Sequence, residues 1–171
     1  SRWLAAAPKY ALVFDELSSD DEHLYEWWYH NKGTKVRCDA AGKASRDAAV
    51  EADPGFAYVQ NVKRGSSRKT VQAYFDHGDL TVHVMLAQGG ETAVLTGDGP
   101  YTTPADRVPL VRFGRRGTTV RFAAVIEPRR AAEEDYVRSI AYKPIRGGYQ
   151  VIVSHRDGSD VYRLTFDAAS V

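Results

Sequence analysis

The sequence predicts an all-β fold, an antiparallel two-sheet β-sandwich with little helix. Two observations carry this. Apolar and polar residues alternate with period two along most of the chain, and short turn signals punctuate the alternation at regular intervals. A third observation supports it: the only stretches that resist the strand pattern are short and carry Gly or Pro, so no long segment keeps a helical period.

The elements follow in order. Tyr10 to Leu17 alternates, and so does Glu22 to His30, which places His23, Tyr25, Trp27 and Tyr29 on one face and Leu24, Glu26, Trp28 and His30 on the other. The acidic run Asp15 to His23 lies between these faces of apolar character. It lacks the glycine and ligand periodicity of a calcium loop, so a polar hairpin turn is expected there. Asp39 to Gly55 is rich in alanine and charge, bracketed by Gly42 and Pro54, and reads as a surface loop with at most a helical turn. Strands are then expected at Val71 to Asp76, Leu80 to Leu86, Val108 to Phe113, Thr119 to Glu127, Tyr136 to Tyr142, Tyr149 to His155 and Val161 to Asp167. Turns are expected at His77 to Asp79, Gln88 to Gly90, Gly97 to Pro100, Gly114 to Gly117, Arg146 to Gly148 and Arg156 to Asp160, with a connecting turn in Glu127 to Tyr136.

The chain of 171 residues is long enough for one substantial core, and residues 1–171 are expected to form one domain. Its 23 Lys and Arg against 22 Asp and Glu leave a net charge of +1, which provides no global field toward nucleic acid or an anionic membrane. No apolar run approaches the ~20 residues of a membrane span, so the chain is expected to be soluble, with any export leader already removed. Cys38 is the single cysteine, so no intrachain disulfide can form.

Candidate sites are few. His23 and His30 point to opposite faces of their strand and cannot share one metal, so no metal or other cofactor is expected. Aromatic rings on the Tyr25 and Trp27 face fit an inter-sheet core, whereas Trp28 and His30 on the other face fit a groove wall on which a sugar ring could stack. From Arg107 to Arg130 there are seven arginines and one acid, Glu127. Arg112 and Arg121, placed on neighbouring strands by a turn at Gly114 to Gly117, suit bidentate binding of carboxylate or sulfate groups; a solvated outer face is the plainer alternative. No nucleophile elbow, HExxH, phosphate loop or paired-cysteine motif is present, so no catalytic residue is assigned.

The order of segments carries more than any one residue. "PKYALVFDELSSDDEHLYEWWYHNKGT" (Pro8 to Thr34), "GDLTVHVMLAQGGETAVLTGDGP" (Gly78 to Pro100) and "VPLVRFGRRGTTVRFAAVIEP" (Val108 to Pro128) together resemble the C-terminal β-sandwich of the heparinase II/III-like polysaccharide lyases, which include exolytic alginate lyases. The shared features are a strand ending in Asp15, a following strand of the form His-x-Tyr-x-Trp with His30 behind it, and a late strand pair meeting at a Gly-rich turn and closing on Glu127–Pro128. In that family a helical (α/α) toroid precedes the sandwich and the site lies in the cleft between them. The resemblance implies β-elimination at a uronic acid: the carboxylate is neutralised, a Tyr or His takes the C5 proton and a Tyr protonates the leaving oxygen. The family's catalytic and zinc-binding residues precede the matching block, so none is carried over. The implied partners are an acidic polysaccharide or oligosaccharide and the N-terminal toroid, and the implied location is secreted or periplasmic. An acidic-glycan binding module without chemistry, and a purely structural scaffold, are the alternatives.

Overall fold

The computed structural model describes residues 1–44, 58–103 and 105–165. Every element in it is a β-strand and every pairing is antiparallel. The strands are β1 (Arg2–Ala6), β2 (Ala11–His30), β3 (Lys35–Cys38), β4 (Lys43–Ala44), β5 (Gln60–Ser67), β6 (Val71–His77), β7 (Leu80–Leu86), β8 (Thr92–Pro100), β9 (Arg107–Arg130), β10 (Val137–Ile145), β11 (Gly148–His155) and β12 (Gly158–Thr165). Nine form one sheet in the order β3-β6-β7-β9-β8-β5-β4, with β2 on β9 and β1 on β2; β10-β11-β12 form a separate meander. The expected all-β, two-sheet architecture without helix is what the described residues show.

Two long strands organise the large sheet. β2 and β9, of 20 and 24 residues, pair along most of their length, from Ala11 opposite Ile126 to His30 opposite Leu110. The N-terminal half of β9 also pairs with β8, and its C-terminal half with β7. The ribbon bends between the halves: the Arg115 side chain reaches back to the carbonyl of Arg121, six residues on. Trp27, Val111 and Phe113 from one half thereby share a core with Val84, Phe122 and Ala124 from the other.

The opposite face of the β7–β9–β2 half is covered by the meander. Phe14, Met85, Ala123 and Val125 pack there against Val137, Ile140, Val151 and Val153. The middle layer is therefore buried on both faces, which is why Phe122 to Ile126 reads as a continuous apolar run. The strand at Leu80 to Leu86 is buried on both faces in the same way, because Val84 and Leu86 belong to one core and Met85 to the other.

Further differences lie in the turns and in the strand list. "GRRG" at Gly114 to Gly117 and "GDGP" at Gly97 to Pro100 are not turns but lie inside β9 and β8. Glycine serves a tight turn when its φ is positive. Gly78, Gly90, Gly147 and Gly158 have positive φ and sit where the chain reverses or loops, whereas Gly97, Gly99, Gly114 and Gly117 do not. Likewise the acidic run makes no hairpin: it is a register shift between Ser18 and His23 within β2, a bulge rather than a reversal. The connection after β9 is confined to residues 131–136, and β10 extends to Ile145. β1, β3, β5 and β8 were not among the expected strands. Of the Asp39 to Gly55 stretch, Lys43–Ala44 forms β4, and 45–55 lie outside the described residues, as do 166 and 167 of the last expected strand.

Candidate functional site

The β2–β9 register brings three of the four expected site residues to one face. Trp28 lies directly opposite Arg112, and His30 opposite Leu110. Trp28 is 44% exposed and His30 is exposed, while Trp27, one residue earlier, is buried. Between them Glu26 ties the group together: one carboxylate oxygen accepts from Arg112 Nη1 at 2.5 Å, and the other from Trp28 Nε1 at 3.2 Å. A charge-assisted bond of this length fixes a side chain well. The result is a platform of indole, guanidinium and carboxylate, with the Arg112 side chain only 11% exposed.

Arg121 is elsewhere. Arg112 and Arg121 occupy one continuous strand on either side of its bend, not two strands joined by a turn, and each is matched to a different glutamate of β2. Arg121 Nε donates to Glu16 Oε2 at 2.6 Å, the Tyr149 hydroxyl donates to the same oxygen at 2.7 Å, and the guanidinium lies 4.8 Å from the Tyr149 ring centre. Burial, and then the bond to Glu16, raises the Tyr149 pKa above the ordinary tyrosine value. This cluster joins the meander to the large sheet, so the geometry expected for a joint Arg112–Arg121 anion site does not form.

Two buried polar groups were not foreseen. Arg115 is 3% exposed; it donates to Thr92 Oγ1 at 2.8 Å and to the carbonyl oxygens of Ala87 and Arg121. Burial lowers its pKa from the ordinary arginine value, against the opposing influence of Tyr142. Its role is to hold the bend of β9 against the segment after β7. Glu127 is 1% exposed and accepts the backbone N–H groups of Tyr136 at 2.7 Å and Val137 at 2.9 Å, the point where the meander begins. His83 faces it across the β7–β9 pair, its Nδ1 3.9 Å from Glu127 Oε2 and 3.7 Å from Asp135 Oδ1, with Tyr74 stacked on the imidazole. Burial alone would raise the Glu127 pKa, but His83 and the two N–H donors outweigh it and hold the carboxyl below its usual range. Glu127 stood out in the sequence as the sole acid among seven arginines, the one signal that could have found it.

Two surface hollows are relevant. One of about 320 Å³ is lined by cations and anions alike, among them Lys9, Arg129, Glu133 and Arg156, with Lys9 over the Tyr136 ring. Another, of about 330 Å³, lies at the edge of β2 beside Leu17, Trp27 and Trp28. Among the described residues no group of three or more His, Cys, Asp and Glu is placed to hold a metal ion. No helix there is long and apolar enough to cross a membrane. No protein-family model matches the chain, and no curated protein matches it with significant similarity.

Proposed function

We propose that this chain is the C-terminal β-sandwich of a polysaccharide lyase acting by β-elimination on uronic-acid-containing glycans, of alginate or heparin type. In this reading it braces a catalytic toroid, lines the substrate groove with its Trp28, His30 and Arg112 face, and is inactive alone. The observation that carries the reading is the register that sets Trp28 against Arg112 across β2 and β9, within two of the segments whose order resembles that family. An exposed indole offers a stacking surface for a sugar ring, and a guanidinium beside it suits a carboxylate or sulfate. Arg112 is already matched to Glu26, so an acidic sugar would have to share or displace that partner, and binding should be weak.

The test has two arms. The purified chain, mixed with alginate, heparin or heparan sulfate, should release no unsaturated uronate, since the toroid's proton donor and acceptor are absent and lost positioning alone removes many orders of magnitude in rate. Turnover by the chain alone would overturn the fragment reading. Titration with acidic oligosaccharides, followed by NMR, should then show weak, salt-sensitive shifts at Trp28 and Arg112 that vanish in Trp28→Ala with Arg112→Ala. Tight binding that persists in the double variant would favour an independent binding module with its site elsewhere, and the absence of shifts would leave a scaffold.

A further inference from the structure

The large sheet folds back until β3, at one end of its strand order, stands beside β5 and β8 near the other end. β3 is hydrogen-bonded to neither, and the seam between them opens into a third hollow, of about 150 Å³. Lys35 and Val36 of β3, Asn61 and Lys63 of β5, and Thr96 and Asp98 of β8 line it. Trp28, His30, Arg112 and Arg121 do not.

The backbone around Asn61 is built for this place. Gln60 stands opposite Asp98 and Lys63 opposite Thr96, so Asn61 and Val62 together face Gly97, a bulge of one extra residue in β5. A Cβ on Gly97 would come within 2.7 Å of Val59 Cγ1 and 2.9 Å of the Gln60 carbonyl oxygen, so glycine is what lets the bulged strand approach. Asn61 has a φ of 53°, the one positive value at a non-glycine among the described residues, and asparagine accepts that conformation more readily than most. A bulge re-aims a side chain. Here Asn61 Nδ2 donates to Asp98 Oδ2 at 2.6 Å, which leaves the Asn61 amide oxygen and Asp98 Oδ1 able to accept from a ligand. Lys63 forms no salt bridge among the described residues. Lys35 stands opposite Asp76, whose carboxylate is already held by Arg37.

These groups specify the chemistry of an occupant. An ionised carboxylate only accepts hydrogen bonds and the amide oxygen accepts as well, so the occupant must donate, as hydroxyl groups do. Lys35 and Lys63 outnumber Asp98, which favours a negative charge on it. The volume is that of about five waters at ~30 Å³ each, room for one small ring and not for a chain. We infer that the β3–β5–β8 seam binds a single hydroxylated carboxylic acid of sugar size, its hydroxyls on Asn61 and Asp98 and its carboxylate toward Lys63 and Lys35. Such a ligand would link two ends of the sheet order that no strand pairing links. The inference stands apart from the lyase reading, because it uses no residue of the Trp28 platform.

NMR titration of the whole chain tests it, with glucuronate as the probe and glucose and acetate as its two halves. Glucuronate should shift the amides of Asn61, Lys63, Thr96 and Asp98 in a saturable way. Glucose, which lacks the charge, should bind about two- to fivefold more weakly, and acetate, which lacks the hydroxyls, about tenfold or more. Asn61→Gly keeps the positive φ and removes only the amide, so it should melt as the parent does and lose about fivefold in affinity. Lys63→Gln should weaken glucuronate and leave glucose unchanged. Glucose or acetate binding as tightly as glucuronate, or an Asn61→Gly variant that binds unchanged, overturns the inference. Glucuronate shifts confined to Trp28 and Arg112 overturn it while supporting the platform, and the absence of any shift overturns it outright.

Discussion

Adjacent tryptophans in one strand have opposite fates. Trp27 is 6% exposed and stacks between Tyr29 and Phe113, whereas Trp28 points outward. Trp27→Ala should therefore cost about 3 to 5 kcal/mol, read from a denaturant midpoint, and Trp28→Ala should stay within about 0.5 kcal/mol. An unchanged midpoint for Trp27→Ala would refute the core assignment. Glu127 makes a pH-dependent contribution of definite sign. Its folded pKa is below the ordinary carboxylate value, so the stabilisation is fully present above that value and is lost as pH falls through the folded one. Urea midpoints for the parent chain should fall on the acid side of about pH 4, and Glu127→Gln should flatten part of that fall while lowering stability at neutral pH by about 1.5 to 3 kcal/mol. A parallel shift of the whole profile would show that the carboxylate's ionisation is not linked to folding. Cys38 follows simpler logic: burial pushes its thiol pKa up to about 11. Alkylation of the native chain at neutral pH should be slow and should accelerate sharply on unfolding, because the thiolate is the nucleophile.

At the level of elements, glycine does two different jobs. Gly114 and Gly117 lie within the long ribbon, and a Cβ on Gly114 would press on the tip of Leu24 at 3.3 Å and otherwise meet Ala93 at ordinary contact distances of 3.8 and 3.9 Å. Gly65 and Gly148 instead sit against backbone: a Cβ there would come within 1.7 Å of the Ala40 carbonyl oxygen and 1.8 Å of the Leu164 oxygen. Side-chain tips can move more easily than packed backbone. Gly65→Ala and Gly148→Ala should each destabilise by about 3 kcal/mol or more, Gly114→Ala by clearly less, as thermal melts would show. Comparable losses at all three positions would mean that close backbone approach does not set the cost. The same distinction explains what was legible beforehand. Period two revealed the strands from Val71 to Leu86 and from Tyr149 to His155, and the face of Trp27 against that of Trp28. It could not separate a glycine that turns a chain from one that lets a strand bend, because that depends on φ, nor a bulge from a hairpin in the acidic run. The pairing of Trp28 with Arg112 was hidden for a related reason: it depends on the register of two distant segments, which composition does not encode. Arg121 was misplaced because the turn expected at Gly114 is absent.

Over the whole molecule, the middle layer decides how the protein unfolds. Its apolar side chains are divided between two cores, with Phe122 and Ala124 on one side and Phe14, Met85 and Val125 on the other. Removing the β10–β12 meander would bare the second set while leaving the first covered, and it would strand the Glu127 carboxylate without the N–H groups of Tyr136 and Val137. Fully burying one large apolar side chain is worth roughly 1.5–3 kcal/mol, so the exposed set would offset a large part of a typical domain's stability. The meander cannot stand alone either, since its inner face of Val137, Ile140, Val151 and Val153 is covered only by the middle layer. The two sheets should thus melt together. Near-ultraviolet signals from Trp3, which packs on the meander side, and Trp27, on the other, should report one midpoint, coincident with the loss of far-ultraviolet β signal. A chain ending at Asp135 should be recovered aggregated, through its newly bared sheet face. Two resolved transitions, or a soluble and cooperatively folded chain ending at Asp135, would show instead that the large sheet folded over itself is self-sufficient and that the meander is an appendage.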